Sequence, residues 1–377
     1  MSIDYVEIRS AATRELLTII DDAKSIIWHP KYYSVGDFEV YTPVSDRAVR
    51  YLVDGNFVTR PGSKYVGIIE KVNVTYNATD GRMIIASGRF AKSMLDRRLI
   101  YKRSGYSVSA TVMRGNVEAA VRALVKDNAI SCPFDSGRNM EELALGELAG
   151  LTDVIRDESG DSAEKQATYK GLLAYTDAFL QEYGAGAYCA LNADGKLAYT
   201  VFRGVDRTFG NTEGNQPVIF SQDYDNLVST EYLFDTMTYK NAALIGGEGE
   251  GTARFCSILK YSNITGSARR ETFVDGGSTS KTYKDENDEE QTLTDAQYDA
   301  QLKSLGRQTT AGLALIESLT GEIDLTNGSF RLGRDFDLGD IVTVQDVEIG
   351  RFINTRILEI TEVQDDNGYM VTGVYGT

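Results

Sequence analysis

The sequence has 377 residues, with 55 acidic and 39 basic side chains and a formal net charge of −16 at pH 7. This charge argues against a nucleic-acid-binding surface, and the ordinary composition argues against a disordered chain. The acidic N-terminus MSIDYVEIRS is not a signal peptide, and no apolar run is long enough to span a bilayer, so we expect no stable membrane insertion.

The N-terminal part of the chain predicts β-structure, beginning with short strands over residues 3–42. A meander follows, with a strand after the glycine turn at Gly55, a long strand over residues 66–72 and a closing strand after Asp80-Gly81. Residues 90–99 then have helical spacing. They end in a basic cluster made of Arg97, Arg98, Lys102 and Arg103. A partner could bind this cluster, although a solvated helix end is the simpler interpretation.

Past Tyr106 the sequence predicts two amphipathic helices followed by two strands. These elements cover residues 117–126, 165–182, 187–191 and 196–202. Asn116 stands where an N-cap belongs, and Gly184 stands where a helix ends. We therefore predict that residues 107–202 form a small α/β domain inserted into the β-structure.

The next part of the chain returns to β-structure and then changes again. Strands are predicted over residues 218–220, 227–238, 241–246 and 253–259. Residues 276–292 are polar and acidic, which predicts an exposed, mobile loop outside any subunit interface. Thr294 is expected to cap a long helix over residues 295–319, which Gly321 would end.

The last limb, residues 338–374, repeats the order of the first meander. A strand follows the turn Gly339-Asp340, a long β-branched run covers residues 353–363, and Asn367-Gly368 precedes a closing strand. One interpretation is that the two segments are similar only because all antiparallel meanders have this order of strands and turns. The other is that the chain carries two similar small barrels.

We predict an α+β fold made of two similar small β-barrels, an inserted α/β domain and a long helix in the second half. The first barrel would cover residues 1–106 and the inserted domain residues 107–202. The second barrel would cover residues 203–275 and 321–377, interrupted by the acidic loop and long helix of residues 276–320.

No stretch of the sequence has the spacing of a catalytic, cofactor or metal site. The one histidine, His29, excludes any site with two histidine ligands and is expected to be a packing or surface residue. The run from Gly246 to Gly251 matches no phosphate loop, and the acidic residues 285–290 lack the EF-hand order. Cys132, Cys189 and Cys256 are isolated, as in a protein folded in a reducing cytoplasm, and we expect small buried thiols.

Carboxylate pairs are the open question. A glycosidase needs only two acidic residues in a cleft, and 55 acidic residues leave many combinations. We nevertheless predict no catalytic residue, no cofactor and no metal, because nothing in the sequence singles out a pair.

An ordered set of segments resembles a family of siphovirus tail proteins. The set is Phe202-Arg203-Gly204-Val205-Asp206-Arg207-Thr208, Val218-Ile219-Phe220-Ser221, Asp225-Asn226-Leu227, Tyr239-Lys240-Asn241-Ala242, Gly247-Glu248-Gly249, Arg269 to Asp275 and Asp337 to Val342, with Phe38-Glu39-Val40, Val66 to Glu70 and Gly88-Arg89-Phe90 in the first half. The family is the tail-hub or tail-associated (Tal-type) proteins, which are distantly similar to the baseplate hub of contractile-tailed phages. The resemblance covers nearly the whole chain.

This resemblance implies a structural protein at the virion tail tip, made in the host cytoplasm. It implies a homotrimer whose twin barrels form a pseudo-sixfold ring between the sixfold tail tube and the threefold tip. The partners would be a distal-tail or tail-tube ring on one side and tip or receptor-binding proteins on the other. DNA would pass through a channel with an acidic or neutral lining, without specific binding.

Two alternatives belong to other classes of protein. The chain could be a tail-tip peptidoglycan hydrolase with an unrecognised acidic pair, or a module that binds a host receptor or glycan. Some relatives carry a hydrolase or receptor-binding part in a C-terminal extension, and the sequence ends at Thr377, just after the second meander. We therefore expect a protein that is not an enzyme.

Overall fold

The computed structural model describes residues 2–79, 81–101, 112–156, 163–261, 264–284, 289–311, 313–326 and 329–376. Contacts within the chain divide it into two units, residues 1–230 with 320–377, and residues 231–319. The domain boundaries drawn from the sequence stay a prediction. Within the described ranges, no helix combines the length and the hydropathy needed to cross a membrane.

The first part of the larger unit consists of short strands and one helix. They are β1 (Val6–Arg9), β2 (Leu16–Ile20), β3 (Ser25–His29), β4 (Asp37–Pro43), α1 (Asp46–Tyr51), β5 (Phe57–Thr59), β6 (Gly67–Ile68), β7 (Lys71–Asn77) and β8 (Gly81–Arg89). One sheet has the order β2-β1-β5-β6, and β3-β4-β8-β7 form an antiparallel run in a larger sheet. The strands predicted over residues 3–42 and the first meander are confirmed.

Trp28 is the centre of the core between these two sheets. Every second residue of β3 and β4 is buried, which puts Trp28 and Phe38 on the same face. The Trp28 ring lies 4.9 Å from the ring centroid of Phe90, and both belong to an apolar cluster with Ile8 and Val58 of the other sheet. Alternation along each strand therefore creates one apolar face for the core and one polar face away from it.

The inserted region contains α-helices beside a small sheet. Its elements are β9 (Val112–Met113), α2 (Val117–Val125), β10 (Leu143–Leu145), β11 (Lys165–Gln166), α3 (Leu172–Glu182), β12 (Gly186–Leu191) and β13 (Leu197–Phe202). The Asn116 side chain caps α2 by accepting from Ala119 N at 2.9 Å, as predicted. The second helix begins at Leu172 and not at residue 165, because β11 pairs with β9.

The smaller unit is built around a three-stranded sheet and a helix. After β14 (Ile219–Ser221) and β15 (Leu227–Asp235), the chain forms β16 (Ala242–Gly246), β17 (Cys256–Lys260), β18 (Glu271–Asp275), β19 (Thr282–Lys284), β20 (Glu290–Thr292) and α4 (Asp295–Ala311). Tyr298 and Leu302 of α4 are buried against Ile245 and Leu259 of the sheet β17-β16-β18. The expected acidic loop contains the hairpin β19–β20, and residues 285–288 of it lie outside the described residues.

The predicted helix over residues 295–319 extends further than the helix in the structure, which covers Asp295–Ala311. Thr294 begins it, since its hydroxyl accepts from Gln297 N at 3.3 Å, but the helix ends at Ala311. The chain then forms β21 (Ile316–Asp324), which pairs with a strand of the last limb, so Gly321 lies inside a strand. The apolar residues here fit either type of element, and pairing with a distant strand decides between them.

The last limb forms the three strands predicted for it, namely β22 (Ile341–Asp346), β23 (Arg351–Asp365) and β24 (Gly368–Gly376). The large sheet has the order β15-β21-β24-β23-β3-β4-β8-β7, with β14 beside β22. The strand pairs among the described residues close no barrel, so the α+β class and both meanders are confirmed while the two closed barrels are not. The halves of the chain are joined through β23 and β3.

Candidate functional site

The two meanders begin with the same backbone hydrogen bond. Gly55 N donates to Ile69 O at 2.8 Å in the first half, and Gly339 N donates to Ile357 O at 2.9 Å in the second. Both glycines have left-handed backbone angles, with φ of 85° and 93°. Each long strand is also interrupted at this point, since Ile69 and Glu70 separate β6 from β7 and β23 shifts register between Ile357 and Glu359. The two halves therefore share detailed geometry as well as strand order.

A buried polar side chain follows each of these glycines. The Asn56 side chain accepts from Ala11 N at 3.1 Å. In the matching position, Asp340 accepts from Val205 N at 2.7 Å and from Arg207 Nε at 2.8 Å. Arg207 belongs to a segment that carried the family resemblance, and its contact with the buried Asp340 anchors that segment to the last limb.

The closing hairpins extend the correspondence to four strands. Asn77 pairs with Gly81 where β7 turns into β8, and Asp365 pairs with Gly368 where β23 turns into β24. In the first half β4 pairs with β8, and in the second β21 pairs with β24. The half-sheet β15-β21-β24-β23 thus matches the half-sheet β3-β4-β8-β7 strand by strand.

An antiparallel joint between β23 and β3 connects the two half-sheets. Glu362 lies opposite Trp28, and Asp365 lies opposite Ser25. The lone histidine lies at this joint, where His29 Nε2 is 2.8 Å from a carboxylate oxygen of Glu359. His29 is therefore a half-buried structural residue of the joint, consistent with the packing role expected from the sequence.

Tyr32 fixes the joint from the side of the core, and no signal in the sequence singles it out. Its backbone N donates to Leu358 O at 2.8 Å, its hydroxyl donates to Gly184 O at 3.0 Å, and the same hydroxyl accepts from Gly204 N at 3.2 Å. Burial raises the pKa of Tyr32, so the hydroxyl stays a neutral donor. One residue just after β3 therefore links this part of the chain to the last limb through its backbone and to the inserted region through its side chain.

A cleft of about 490 Å³ lies beside the joint, between residues 60–65 and residues 332–338. Lys64 Nζ is 3.6 Å from an Asp337 carboxylate oxygen and 4.8 Å from the ring centroids of both Tyr188 and Phe202. Residues 60–65 belong to the first half and residues 332–338 to the second. The cleft is therefore a second contact between the halves, made by a loop and not by strands.

The two ends of the large sheet are free edges. Strand β7 pairs with β8 alone, and β15 pairs with β21 alone, among the strands that the structure describes. On β7, Val72, Val74 and Tyr76 are exposed, and Tyr76 is 74% exposed. Val228 is exposed on β15. An open edge with apolar side chains is a pairing surface unless another chain covers it. The alternating sequence of residues 71–77 is the signal for such an edge, although the sequence alone assigned it only to the meander.

The face of the large sheet opposite the core is acidic. Its carboxylates alternate with the buried residues of the same strands and belong to Asp37, Glu39, Glu322, Asp324, Glu359 and Asp365. The basic residues of this face include Lys71 and Arg89, and Arg89 is paired with Glu70 at 2.9 Å. Glu359 is also paired, with His29 at 2.8 Å and with Lys31 at 3.3 Å, so carboxylates outnumber basic side chains on this face although some of them are paired.

The basic cluster and the three cysteines are further positions singled out in the sequence. No group of three or more His, Cys, Asp or Glu side chains is placed to hold a metal in the part of the chain that the structure describes. Arg98 Nε donates to Arg138 O at 2.9 Å, while Lys102 and Arg103 lie outside the described residues. Of the three thiols expected to be buried, Cys256 is exposed, because it lies on the face of β17 away from α4.

The run from Gly246 to Gly251 lies in the smaller unit at the turn between β16 and β17. Gly247 N donates to Phe255 O at 2.7 Å, and Arg254 Nε donates to Gly247 O at 3.0 Å. Glu248 N donates to the Tyr298 hydroxyl at 2.7 Å, so the backbone N–H groups of Gly247 and Glu248, which a phosphate loop would turn toward its ligand, already have partners within the unit. The turn is a structural connection between strands, as the sequence indicated.

Comparisons with known proteins agree with this fold. Three solved structures that match are similar over 98% of this chain. The tail protein from Neisseria meningitidis MC58 has 14% identity, 95% of its own chain covered and a TM-score of 0.53, and the prophage MuSo2 43 kDa tail protein from Shewanella oneidensis has 13% identity, 98% covered and a TM-score of 0.54. The prophage tail protein gp18 from Listeria monocytogenes EGD-e has 10% identity, 94% covered and a TM-score of 0.50. At these identities the likeness shows a shared fold. No curated protein matches the sequence.

The family model described as Siphovirus ReqiPepy6 Gp37-like protein matches residues 5–377. Nearly the whole chain is covered, including both meanders and the segment around Arg207. The resemblance to siphovirus tail proteins found in the sequence is confirmed, and the chain belongs to the Siphovirus ReqiPepy6 Gp37-like protein family.

Proposed function

We propose that this chain is a structural hub protein of a phage tail tip, which assembles as a trimer into a pseudo-sixfold ring. The observation that carries the proposal is the match between the two half-sheets, which are joined edge to edge and leave one free edge at each end. The ring would join a sixfold tail tube to a threefold tip. DNA would pass through its centre, and neighbouring tail proteins would bind its two faces.

The pairing of the two half-sheets within one chain predicts which strands pair between neighbouring chains. In the correspondence between half-sheets, β7 matches β23 and β15 matches β3. Strands β23 and β3 are paired within the chain, so their counterparts β7 and β15 are suited to pair between chains. Three chains would supply six similar half-sheets, and a rotation that closes the ring would leave no edge exposed.

The joint within the chain also predicts the register between chains. Asn77 and Asp365 are the last residues before the closing turns of the two meanders, and Val74 and Glu362 each lie three residues earlier. Val74 therefore matches Glu362. In the first half, Trp28 of β3 lies opposite Phe38 of β4. Gly321 of β21 is the residue that matches Phe38, and a Cβ atom added there would lie against Ser229 O of β15, so Ser229 matches Trp28. The predicted pairs are Val74 with Ser229, Thr75 with Val228, and Tyr76 with Leu227 of the next copy.

The acidic face supports a passage for DNA. Closing the half-sheets into a ring with their cores outward turns the face that carries Glu322, Glu359 and Asp365 toward the channel. A basic lining would hold each phosphate by releasing counterions, whereas a carboxylate lining does not. The channel would therefore guide the polyanion without binding it. In this proposal the chain acts by shape and charge and catalyses no reaction.

Cysteine pairs test the ring in assembled tails. Directly opposite residues of antiparallel strands have Cα atoms roughly 4.5 to 5.5 Å apart, within the range of a disulfide. We expect Thr75→Cys with Val228→Cys, in a Cys256→Ser chain, to give a covalent trimer after mild oxidation. The control, Lys71→Cys with Val228→Cys, is displaced by about 13 Å along the strand and should stay unlinked.

The result that would overturn the ring is equally specific. Tails that assemble normally but give no covalent trimer with the Thr75/Val228 pair would exclude this edge pairing. Cryo-electron microscopy of the same tails supplies the stoichiometry, and one or six copies per tail tip would contradict the trimer.

A further inference from the structure

Two apolar patches on the larger unit are covered by none of its described residues. One is the tip of the β22–β23 hairpin, residues 346–352, where Val347, Ile349 and Phe352 are exposed and Phe352 is 73% exposed. The other is the α1 patch, made of Val49 and Val53, where Val49 is 58% exposed. We infer that the hairpin tip of one copy docks on the α1 patch of the next copy in the ring.

The correspondence between the halves identifies the hairpin tip. Strands β5 and β6 are antiparallel partners at the start of the first meander, and β22 and β23 are the partners at the start of the second. The segment that joins β5 to β6 contains residues 60–66. Strands β22 and β23 are longer, so the matching place is the hairpin tip, which consists of the joining residues 347–350 and the adjacent strand ends. Gly67 pairs with Val58 as Thr355 pairs with Val342, so Lys64 and Phe352 take matching positions.

A shared hydrogen bond identifies the α1 patch. Asn56 N donates to Val53 O at 3.3 Å, and in the second half Asp340 N donates to Asp337 O at 3.1 Å. Val53 therefore takes the position of Asp337. By the same correspondence the α1 helix occupies the place that residues 332–338 occupy in the second half.

Within the chain, these two places are in contact. Residues 60–65 face residues 332–338 across the cleft, and Lys64 pairs with Asp337 at 3.6 Å. If β7 and β15 of neighbouring copies repeat the β23–β3 joint, their flanking segments repeat this contact too. Phe352 of one copy then meets Val53 of the next, and an ion pair within the chain becomes an apolar contact between chains.

The side chains of the two patches fit this assignment. The apolar side chains of the hairpin tip and of the α1 patch are exposed to water in the single chain and would become buried together in the ring. The tip also carries the exposed Glu348, while α1 carries the exposed Arg50. The tip carries the exposed Arg351 as well, so neither patch has a single sign of charge, and the assignment rests on the apolar side chains.

The inference rests on the proposed ring, and crosslinking separates the two. In Cys256→Ser chains assembled into tails, Phe352→Cys with Val53→Cys should be joined between copies by a short bis-maleimide. Phe352→Cys with Thr13→Cys, at another exposed position, is the control for random linking. If the Thr75/Val228 pair links and the Phe352/Val53 pair does not, the docking is wrong and the ring stands. If neither pair links, the ring fails first and the docking fails with it.

A charge substitution gives a second readout that needs no crosslinker. Phe352→Asp should lower the yield of assembled tails about tenfold or more while leaving the melting temperature of the isolated chain unchanged. Phe209→Asp is the matched control, because Phe209 is also an exposed phenylalanine. Equal yields for Phe352→Asp and the parent chain would overturn the docking.

Discussion

Tyr32 packs so closely against Gly339 that a Cβ atom added at Gly339 would lie 2.2 Å from the tyrosine ring. Gly339 also has φ of 93°, an angle that other residues adopt at a cost. We expect Gly339→Ala to lower the free energy of unfolding by at least about 2 kcal/mol, because strain and a clash with a buried ring combine. Urea denaturation measures the change.

The matching glycine of the first half is the control for this substitution. Gly55 has φ of 85°, and the nearest atom to an added Cβ is Ala11 Cβ at 3.9 Å. Gly55→Ala should therefore cost only the backbone strain, about 1 kcal/mol. Equal losses at both positions would mean that the contact with Tyr32 contributes nothing.

A second prediction concerns the buried carboxylate of Asp340. Asp340→Ala removes the acceptor for Val205 N and leaves Arg207 without its buried partner, so we expect a loss of about 3 kcal/mol. Asp340→Asn copies the residue that stands at the matching position, Asn56, and keeps one acceptor, so its loss should be smaller. Chemical denaturation of the three chains tests the order, and a larger loss for Asn than for Ala would contradict it.

A third prediction uses the buried pair between Lys92 and Asp177 of α3. Lys92 Nζ lies 2.8 Å from a carboxylate oxygen of Asp177, and burial raises the pKa of Asp177 against the lowering effect of Lys92. Lys92→Met removes that lowering effect, so the pKa of Asp177 should rise further. A carboxyl group with a raised pKa in the folded state destabilises the protein as pH rises from the unfolded pKa to the folded one.

The loss of unfolding free energy caused by Lys92→Met should therefore be larger at about pH 8 than at about pH 5, because protonation of Asp177 relieves it at the lower pH. Replacing both residues, Lys92→Met with Asp177→Leu, should recover stability and abolish the pH dependence of the deficit. Urea midpoints at the two pH values measure both effects. A deficit that grows toward acid pH would reverse the assigned sign.

The fourth prediction separates the hub from a hydrolase. We expect no lysis when the purified chain is run in a gel containing peptidoglycan. A parallel lane with a known lytic enzyme is the positive control for clearing. Clearing by this chain that disappears on replacement of a single Asp or Glu would establish an acidic catalytic pair and reject the non-enzymatic assignment.

Local signals in the sequence are enough to find the two meanders. Left-handed turns need glycine, so Gly55, Gly339 and Gly368 mark the start or the closing turn of a meander in the sequence itself. Alternation then assigns the strands between them. The small helix cap at Asn116 is found in the same way.

Contacts between distant parts of the chain cannot be found from local signals. Strand β3 pairs with β23 across most of the chain length, and the short apolar runs of the two strands contain no information about that partner. The apolar spacing of residues 316–319 fits both a helix and a strand, and only the sheet selects β21. The sequence does not reveal Tyr32, since its role depends on Gly184, Gly204 and Gly339 meeting around it.

The joining of two matched half-sheets in one polypeptide has an evolutionary consequence. In a ring of six identical subunits every substitution appears six times and every seam changes together. Here Asn56 and Asp340 differ at matching places, one neutral and one charged. The proposed ring of three such chains would have two kinds of seam, one within each polypeptide and one formed between polypeptides at each assembly. Selection can therefore strengthen the seam within the chain while the seam between chains stays reversible.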